Sequence, residues 1–84
     1  MPSRAQRERR DRRRALELLA GSADGCTEAL MLAHGLRIAL LVELINAGLA
    51  SATTDRVVAG GRTLNVVRLK ITDAGRQELA GRAR

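Results

Sequence analysis

The 84-residue sequence contains no phenylalanine, tyrosine or tryptophan, and only one cysteine and one proline. Without aromatic rings, the core has to be built from Leu, Ile, Val and Ala. A chain of this length forms a single small domain, which buries only about 60% of the surface that its unfolded chain exposes. Cys26 is the only cysteine, so no intramolecular disulfide can form, and a reducing compartment fits. The expected stability margin is thin, and a partner chain would add to it.

Long apolar runs are also missing. The longest covers residues 38–45 and is interrupted by Glu43, so it falls far short of the ~20 residues that a membrane span needs. The apolar stretch over residues 15–20 is too short for a secretory signal and contains Glu17. We therefore expect a soluble, cytoplasmic protein without a membrane contact.

The sequence contains few of the residue combinations that form catalytic or metal sites. Cys26 and His34 are too few for a metal site, which needs three or four ligands. The sequence around Gly60 and Gly61 is too short for a phosphate-binding loop and opens no helix. Because no pair of nucleophile and base is evident either, the sequence predicts no enzyme, no cofactor, no metal site and no small-molecule ligand.

Positive charge is in excess and is concentrated at the start of the chain. The net charge is +6, and residues 1–14 hold seven arginines and two acids, whereas residues 15–84 hold eight basic and seven acidic residues. Such a segment, here called the basic arm (residues 1–14), attracts polyanions. The same composition also suits a solvated helix that keeps a small protein soluble. The nucleic-acid contacts predicted in the arm are Arg4, Arg7, Arg9, Arg10, Arg12, Arg13 and Arg14.

Capping residues predict where the first helix begins and ends. Ser3 and Gln6 have the spacing of a capping box, and no proline or glycine follows until Gly21. The charged N-terminal half of this helix is expected to project into solvent, helical or disordered, while its leucine-rich C-terminal half packs. Residues 21–25 are a turn.

Two further helices are separated by a glycine. Thr27 is a good N-cap for a short second helix over residues 28–34, which Gly35 ends. A third helix is predicted from residue 36 or 37 to residue 47, before Gly48. A short helix, a tight glycine turn and a third helix form a helix-turn-helix pattern.

After the third helix the pattern changes to alternation, centred on Gly60 and Gly61, which signals a β-hairpin. Pairing Ala59 with Arg62 places Val67, Leu69 and Ile71 on the core face. The cations Arg68 and Lys70 then point to the opposite face, and a slip of one residue would bury both of them. Thr72 or Asp73 caps a short last helix over residues 74–80.

This order of elements, with "INAGLA" leading into the hairpin and "LKITDAGR" leaving it, resembles the winged helix-turn-helix domains of bacterial regulators. The multiple-antibiotic-resistance (MarR-like) and phenolic-acid (PadR-like) repressors are familiar examples, and the resemblance covers roughly residues 15–80. It implies a predominantly helical α+β fold with three helices, a β-hairpin wing and a short C-terminal helix. The winged domain would then occupy residues 15–84 and follow the basic arm.

The resemblance also implies a function. In that family the helix after the turn, here residues 36–47, enters the major groove, and the wing reaches the neighbouring backbone or minor groove. Arg37 and Asn46 are the side chains of this helix that would meet base edges. The wing offers Arg56, Arg62, Arg68 and Lys70, whose contacts with phosphates would give affinity without sequence information. The expected function is nucleic-acid binding by a DNA-associated or regulatory protein, with duplex DNA favoured over RNA.

An alternative function follows from how apolar the third helix is. At 3.6 residues per turn, Ile38, Leu40, Leu41, Leu44 and Ile45 cover one broad side. The other side is predicted to show Leu36, Ala39, Glu43, Asn46 and Ala47. Such a helix has few base-reading groups and is usually buried on two sides. Either the other helices cover the second side, or residues 36–47 form a homodimer contact. In the latter case the protein would be a winged-helix interaction or dimerisation module that does not read DNA sequence.

Overall fold

The computed structural model describes residues 3–82, which form four helices and a three-stranded antiparallel sheet. The expected small mixed α+β architecture is confirmed. The outer ends of the predicted arm and domain, residues 1–2 and 83–84, lie outside the described residues. The elements in chain order are α1 (Arg4–Ala20), β1 (Cys26–Thr27), α2 (Glu28–Ala33), α3 (Ile38–Asn46), β2 (Ala50–Ala59), β3 (Arg62–Ile71) and α4 (Asp73–Arg82).

Helix α1 begins with the predicted capping box. The Ser3 hydroxyl accepts a hydrogen bond from the Gln6 backbone N–H at 3.2 Å, and the Gln6 side chain accepts one from the Ser3 N–H at 2.9 Å. Residues 3–10 are exposed, whereas Ala15, Leu16 and Leu19 are buried. The helix runs without a break across residues 14 and 15. Its N-terminal half is therefore exposed, on a helix that the C-terminal half anchors.

The boundaries of α2 and α3 follow the predicted caps. The Thr27 hydroxyl accepts a hydrogen bond from the Leu30 N–H at 3.1 Å. Gly35 and Gly48, which follow the two helices, have φ angles of +85° and +76°, a conformation that glycine adopts at little cost. Helix α3 begins at Ile38, and within the described residues the Arg37 side chain at its N-cap makes no capping hydrogen bond.

The hairpin has the predicted register. Ala59 pairs with Arg62, Thr54 with Val67, and so on along both ten-residue strands. Strand β3 is central, because the two residues of β1 pair with Leu69 and Arg68 on its other edge. Strand β1 was not predicted, because two residues are too few to show alternation. β1 covers only a short part of that edge, and residues 56–65 of the hairpin are all exposed, so this end of the hairpin extends beyond the body.

The core lies between the helices and one face of the sheet. Its largest fully buried side chains are Leu16, Leu19, Met31, Leu44, Leu69 and Cys26. Val67 and Ile71 pack against this cluster from the predicted core face of β3, while Arg68 and Lys70 lie on the opposite, solvated face. Such alternation is typical of an antiparallel sheet packed on one side.

The first turn of α4 is fixed against the start of the hairpin. The Thr72 hydroxyl donates to the Gly48 carbonyl at 2.6 Å and accepts from the Gly75 N–H at 3.1 Å, so Thr72 is the cap. Gly75 is buried, and a Cβ there would collide with the Leu49 carbonyl oxygen. Among residues 3–82, no helix combines the length and the hydropathy that crossing a bilayer requires.

The two glycines of α4 provide a matched test of this close contact. Gly75→Ala should destabilise the protein by about 1–3 kcal/mol, because the added methyl group overpacks the contact with Leu49. Gly81→Ala meets no atom within 4 Å and should be neutral or stabilising by up to about 1 kcal/mol. Urea denaturation of both variants measures the difference. Equal effects would contradict the packing that is described here.

Candidate nucleic-acid interface

The basic side chains of residues 3–81 fall into two groups according to their carboxylate partners. Five lie within 4.0 Å of a carboxylate, in the pairs Arg4–Glu8 (3.1 Å), Arg12–Glu78 (2.9 Å), Arg13–Glu17 (3.8 Å), Arg14–Asp11 (3.5 Å) and Arg68–Asp55 (3.0 Å). The others in that range have no carboxylate so near, and they are Arg7, Arg9, Arg10, Arg37, Arg56, Arg62, Lys70 and Arg76. These eight are called the unpaired cations below.

Two arginines of the predicted arm contact the body of the protein. Arg12 donates two hydrogen bonds to Glu78 on α4, at 3.0 and 2.9 Å, and both side chains are half-buried. Arg14 donates to the His34 carbonyl oxygen at the end of α2, at 2.9 Å. These bonds tie α1 to two other helices, so Arg12 and Arg14 support the fold.

A cleft lies between the N-terminal turns of α1 and the start of α3. Arg4 and Arg7 line it from α1, together with Glu8 and Asp11, and Arg37 lines it from the N-cap of α3. Its volume is about 240 Å³, several times the ~30 Å³ that a water molecule occupies in the liquid. This surface, called the arginine cleft below, brings Arg37 together with two predicted site residues that precede it by 30 or more positions in the chain.

The hairpin presents its cations on both faces. Arg62 is exposed beside the two-glycine turn, where Gly60 and Gly61 have φ angles of +59° and +77°. Arg56 lies opposite Asn65 on the face that continues the core face, and Lys70 lies opposite Ser51 on the other face. Arg68 shares that other face, but Asp55 offsets its charge.

The outward face of α3 is apolar, and it is not the face that was predicted from the sequence. Ile38 and Ile45 were predicted to pack with the buried leucines, yet they are 54% and 37% exposed, and Val42 between them is 49% exposed. Leu36 was predicted on the outer side, yet it is buried, because it precedes the first helical turn and its N–H bonds back to the Met31 carbonyl. Ile38, Val42 and Ile45, spaced by four and three residues, form what is called the α3 stripe below.

The polar residues of α3 are few. Glu43 lines a cleft together with Ala5, Arg9 and Arg12 of α1, so its carboxylate lies on the flank that faces the basic helix. Asn46 is exposed at the C-terminal end. In α3 and its N-cap, Asn46 and Arg37 are the side chains of the types that make bidentate hydrogen bonds to base edges.

Other reactive groups have ordinary structural surroundings. Cys26 is buried, and its sulfur lies 3.2 Å from the Ser22 hydroxyl oxygen. His34 is exposed at the C-cap of α2. Within residues 3–82, no three His, Cys, Asp or Glu side chains come close enough together to hold a metal ion.

Comparison of the chain with protein-family models, with curated proteins and with solved structures finds no match.

The bond between Arg12 and Glu78 predicts unequal roles for two neighbouring arginines of α1. Arg12→Ala should destabilise the fold by about 1 kcal/mol, because it removes a half-buried pair and leaves Glu78 without its partner. Arg10→Ala removes the same side chain from an exposed position and should change stability by less than about 0.5 kcal/mol.

Urea denaturation measures both effects, and a cycle with Glu78→Gln isolates the pair. The expected result is that Arg12→Ala has little further effect in the Glu78→Gln background. Equal destabilisation by Arg10→Ala and Arg12→Ala would show that the bond does not anchor α1.

Proposed function

We propose that this chain is a small winged-helix protein that binds duplex DNA through its phosphates, largely independently of base sequence. The order of helices, the glycine turn between α2 and α3 and the projecting hairpin all support this fold assignment. The observation that carries the function is the surplus of unpaired cations. Eight of them stand against only four acids of residues 3–81 that have no basic partner, namely Asp24, Glu28, Glu43 and Asp73.

The positions of these cations suit backbone contacts. Arg7, Arg9 and Arg10 lie on the exposed half of α1, and Arg62 lies at the tip of a rigid hairpin. A guanidinium group offers a planar fork of donors that matches the oxygens of a phosphate. Binding of this kind gains its free energy largely from the release of counterions and is therefore weakened by salt.

The side chains of α3 argue against base reading as the main source of affinity. The α3 stripe carries no hydrogen-bonding group, and bidentate contacts to base edges use Arg, Lys, Asn or Gln. Asn46 alone within the helix has such a side chain. The expected dissociation constants are those of non-specific binding, about 10⁻⁴–10⁻⁶ M at physiological salt.

A salt titration tests this function with one residue from each surface. Arg10→Ala on α1 and Arg62→Ala on the hairpin should each flatten the slope of log K against log[salt] by about 0.9, and the double variant by about 1.8. Each change should weaken binding to duplexes of different sequence by a similar factor.

Fluorescence anisotropy on several mixed-sequence duplexes gives the slopes. Unchanged slopes in all three variants would show that these cations do not touch phosphate. A loss confined to one duplex would mean that the affected residue reads bases.

A second candidate function is self-association, and the exposure of the α3 stripe favours it. Within the described residues, Ile38, Val42 and Ile45 are 54%, 49% and 37% exposed, so between about a third and about half of each residue remains in contact with water. A second copy of the chain is a suitable partner, because two antiparallel α3 helices would place Ile38 of one against Ile45 of the other, with Val42 near the two-fold axis. Glu43, the only charged residue of α3, lies on the flank towards α1, so this pairing brings no like charges together.

Two valines separate a specific dimer contact from general surface hydrophobicity. Val42→Glu lies in the α3 stripe, and Val58→Glu introduces the same change on the hairpin, where the valine is 73% exposed. If the stripe pairs two copies, Val42→Glu should weaken self-association at least tenfold, since it places a carboxylate in an apolar contact. Val58→Glu should leave self-association unchanged.

Sedimentation equilibrium over a range of concentrations gives the association constants. A monomeric unsubstituted protein at high concentration would remove this second function. A duplex affinity that Val42→Glu leaves intact would show in addition that DNA binding does not need the stripe.

A further inference from the structure

The arginine cleft holds three arginines against two acids, and the adjoining cleft that shares Arg37 also contains Glu43. Glu8 is engaged by Arg4 at 3.1 Å, and Asp11 by Arg14 at 3.5 Å. The guanidinium groups of Arg7 and Arg37 belong to the unpaired cations, although both line the same cleft. Two such groups on one surface repel each other, and an anion between them would relieve that repulsion while accepting hydrogen bonds from both.

The two arginines lie on different elements of the structure. Arg7 lies on the first turns of a helix with a complete capping box, and Arg37 is fixed at the N-cap of α3, directly after the turn at Gly35. Both side chains are exposed, so a phosphate on the surface of a large polymer can reach them. Arg4, already paired with Glu8, is placed to add a third and weaker contact.

We propose that the arginine cleft binds one backbone phosphate of duplex DNA, shared between Arg7 and Arg37. This inference rests on the proposed duplex binding and specifies where α1 and α3 meet the same strand. The shared phosphate fixes α1 along the backbone, so that α1 and the hairpin carry the positioning contacts. The α3 stripe takes no part in this contact, since its three residues do not line the cleft.

A double-mutant cycle on the full chain tests whether one phosphate is shared. Arg7→Ala and Arg37→Ala should each weaken duplex binding about tenfold, the loss expected for a charge-assisted hydrogen bond. The double variant should lose clearly less than the product of the two, because both arginines hold the same group. The matched cycle of Arg37→Ala with Arg62→Ala, on the hairpin, should be multiplicative, because those residues contact different phosphates.

Arg76→Ala serves as the control for simple loss of charge, since Arg76 is an exposed unpaired cation on α4 that does not line the cleft. Its expected loss is smaller than that of Arg37→Ala. The shared phosphate would be overturned if Arg37→Ala weakened binding no more than Arg76→Ala does. It would also be overturned if the losses from Arg7→Ala and Arg37→Ala were multiplicative. Neither result would contradict the proposed function. Absence of duplex binding by the unsubstituted protein at low salt would overturn both.

Nuclear magnetic resonance distinguishes the source of the phosphate. The side-chain Nε–Hε signals of Arg7 and Arg37 should shift together on adding a short duplex, and much less on adding inorganic phosphate at matched ionic strength. Saturable shifts with inorganic phosphate but none with the duplex would identify a site for a small free anion and overturn the proposal. Far-UV circular dichroism of each variant verifies the fold, which these exposed positions should not disturb.

Discussion

The structure depends on the burial of Leu69 in the central strand. Leu69 is 1% exposed and pairs with Cys26 on one side and with Ala52 on the other. In a core without aromatic rings, apolar contact has to come from closely packed aliphatic side chains, so the backbone segments must approach each other tightly. Gly25 permits this approach, because a Cβ at that position would collide with the Leu69 carbonyl oxygen. Once Leu69 is fixed in the core, the alternation of the strand fixes which residues of the hairpin face solvent.

The hairpin and the helix caps were predictable because each rests on a local signal. Gly60 and Gly61 set the turn, and the need to keep Arg68 and Lys70 out of the core selected a single register. Ser3 and Thr27 act as N-caps at the predicted positions. Thr72 caps the last helix, for which Thr72 or Asp73 was predicted. In each case the deciding interaction spans a few residues or one strand pair, which is why the sequence alone contains it.

The features that the sequence did not reveal depend on contacts between distant parts of the chain. The bond from Arg12 to Glu78 joins residues 66 positions apart, and composition gives no reason to prefer Arg12 over its arginine neighbours. Arg12 is the arginine that bonds Glu78 because it lies on the same face of α1 as the buried Leu16 and Leu19, and this face is turned to the body. Periodicity likewise could not divide α3 correctly, because apolar residues surround nearly the whole helix and only tertiary packing shows that Leu40, Leu41 and Leu44 are the buried set.

The lack of aromatic residues constrains recognition as well as packing. Proteins that bind single-stranded nucleic acid commonly stack bases on aromatic side chains, and RNA-binding modules use the same device. This chain has no such ring, so base stacking would fall to guanidinium planes alone. Within residues 3–81, the arginines without carboxylate partners lie on α1, at the N-cap of α3, on the hairpin and on α4. Because regular helices and a hairpin carry these cations, the partner proposed above is a duplex, whose phosphates hold fixed positions, rather than a flexible single strand.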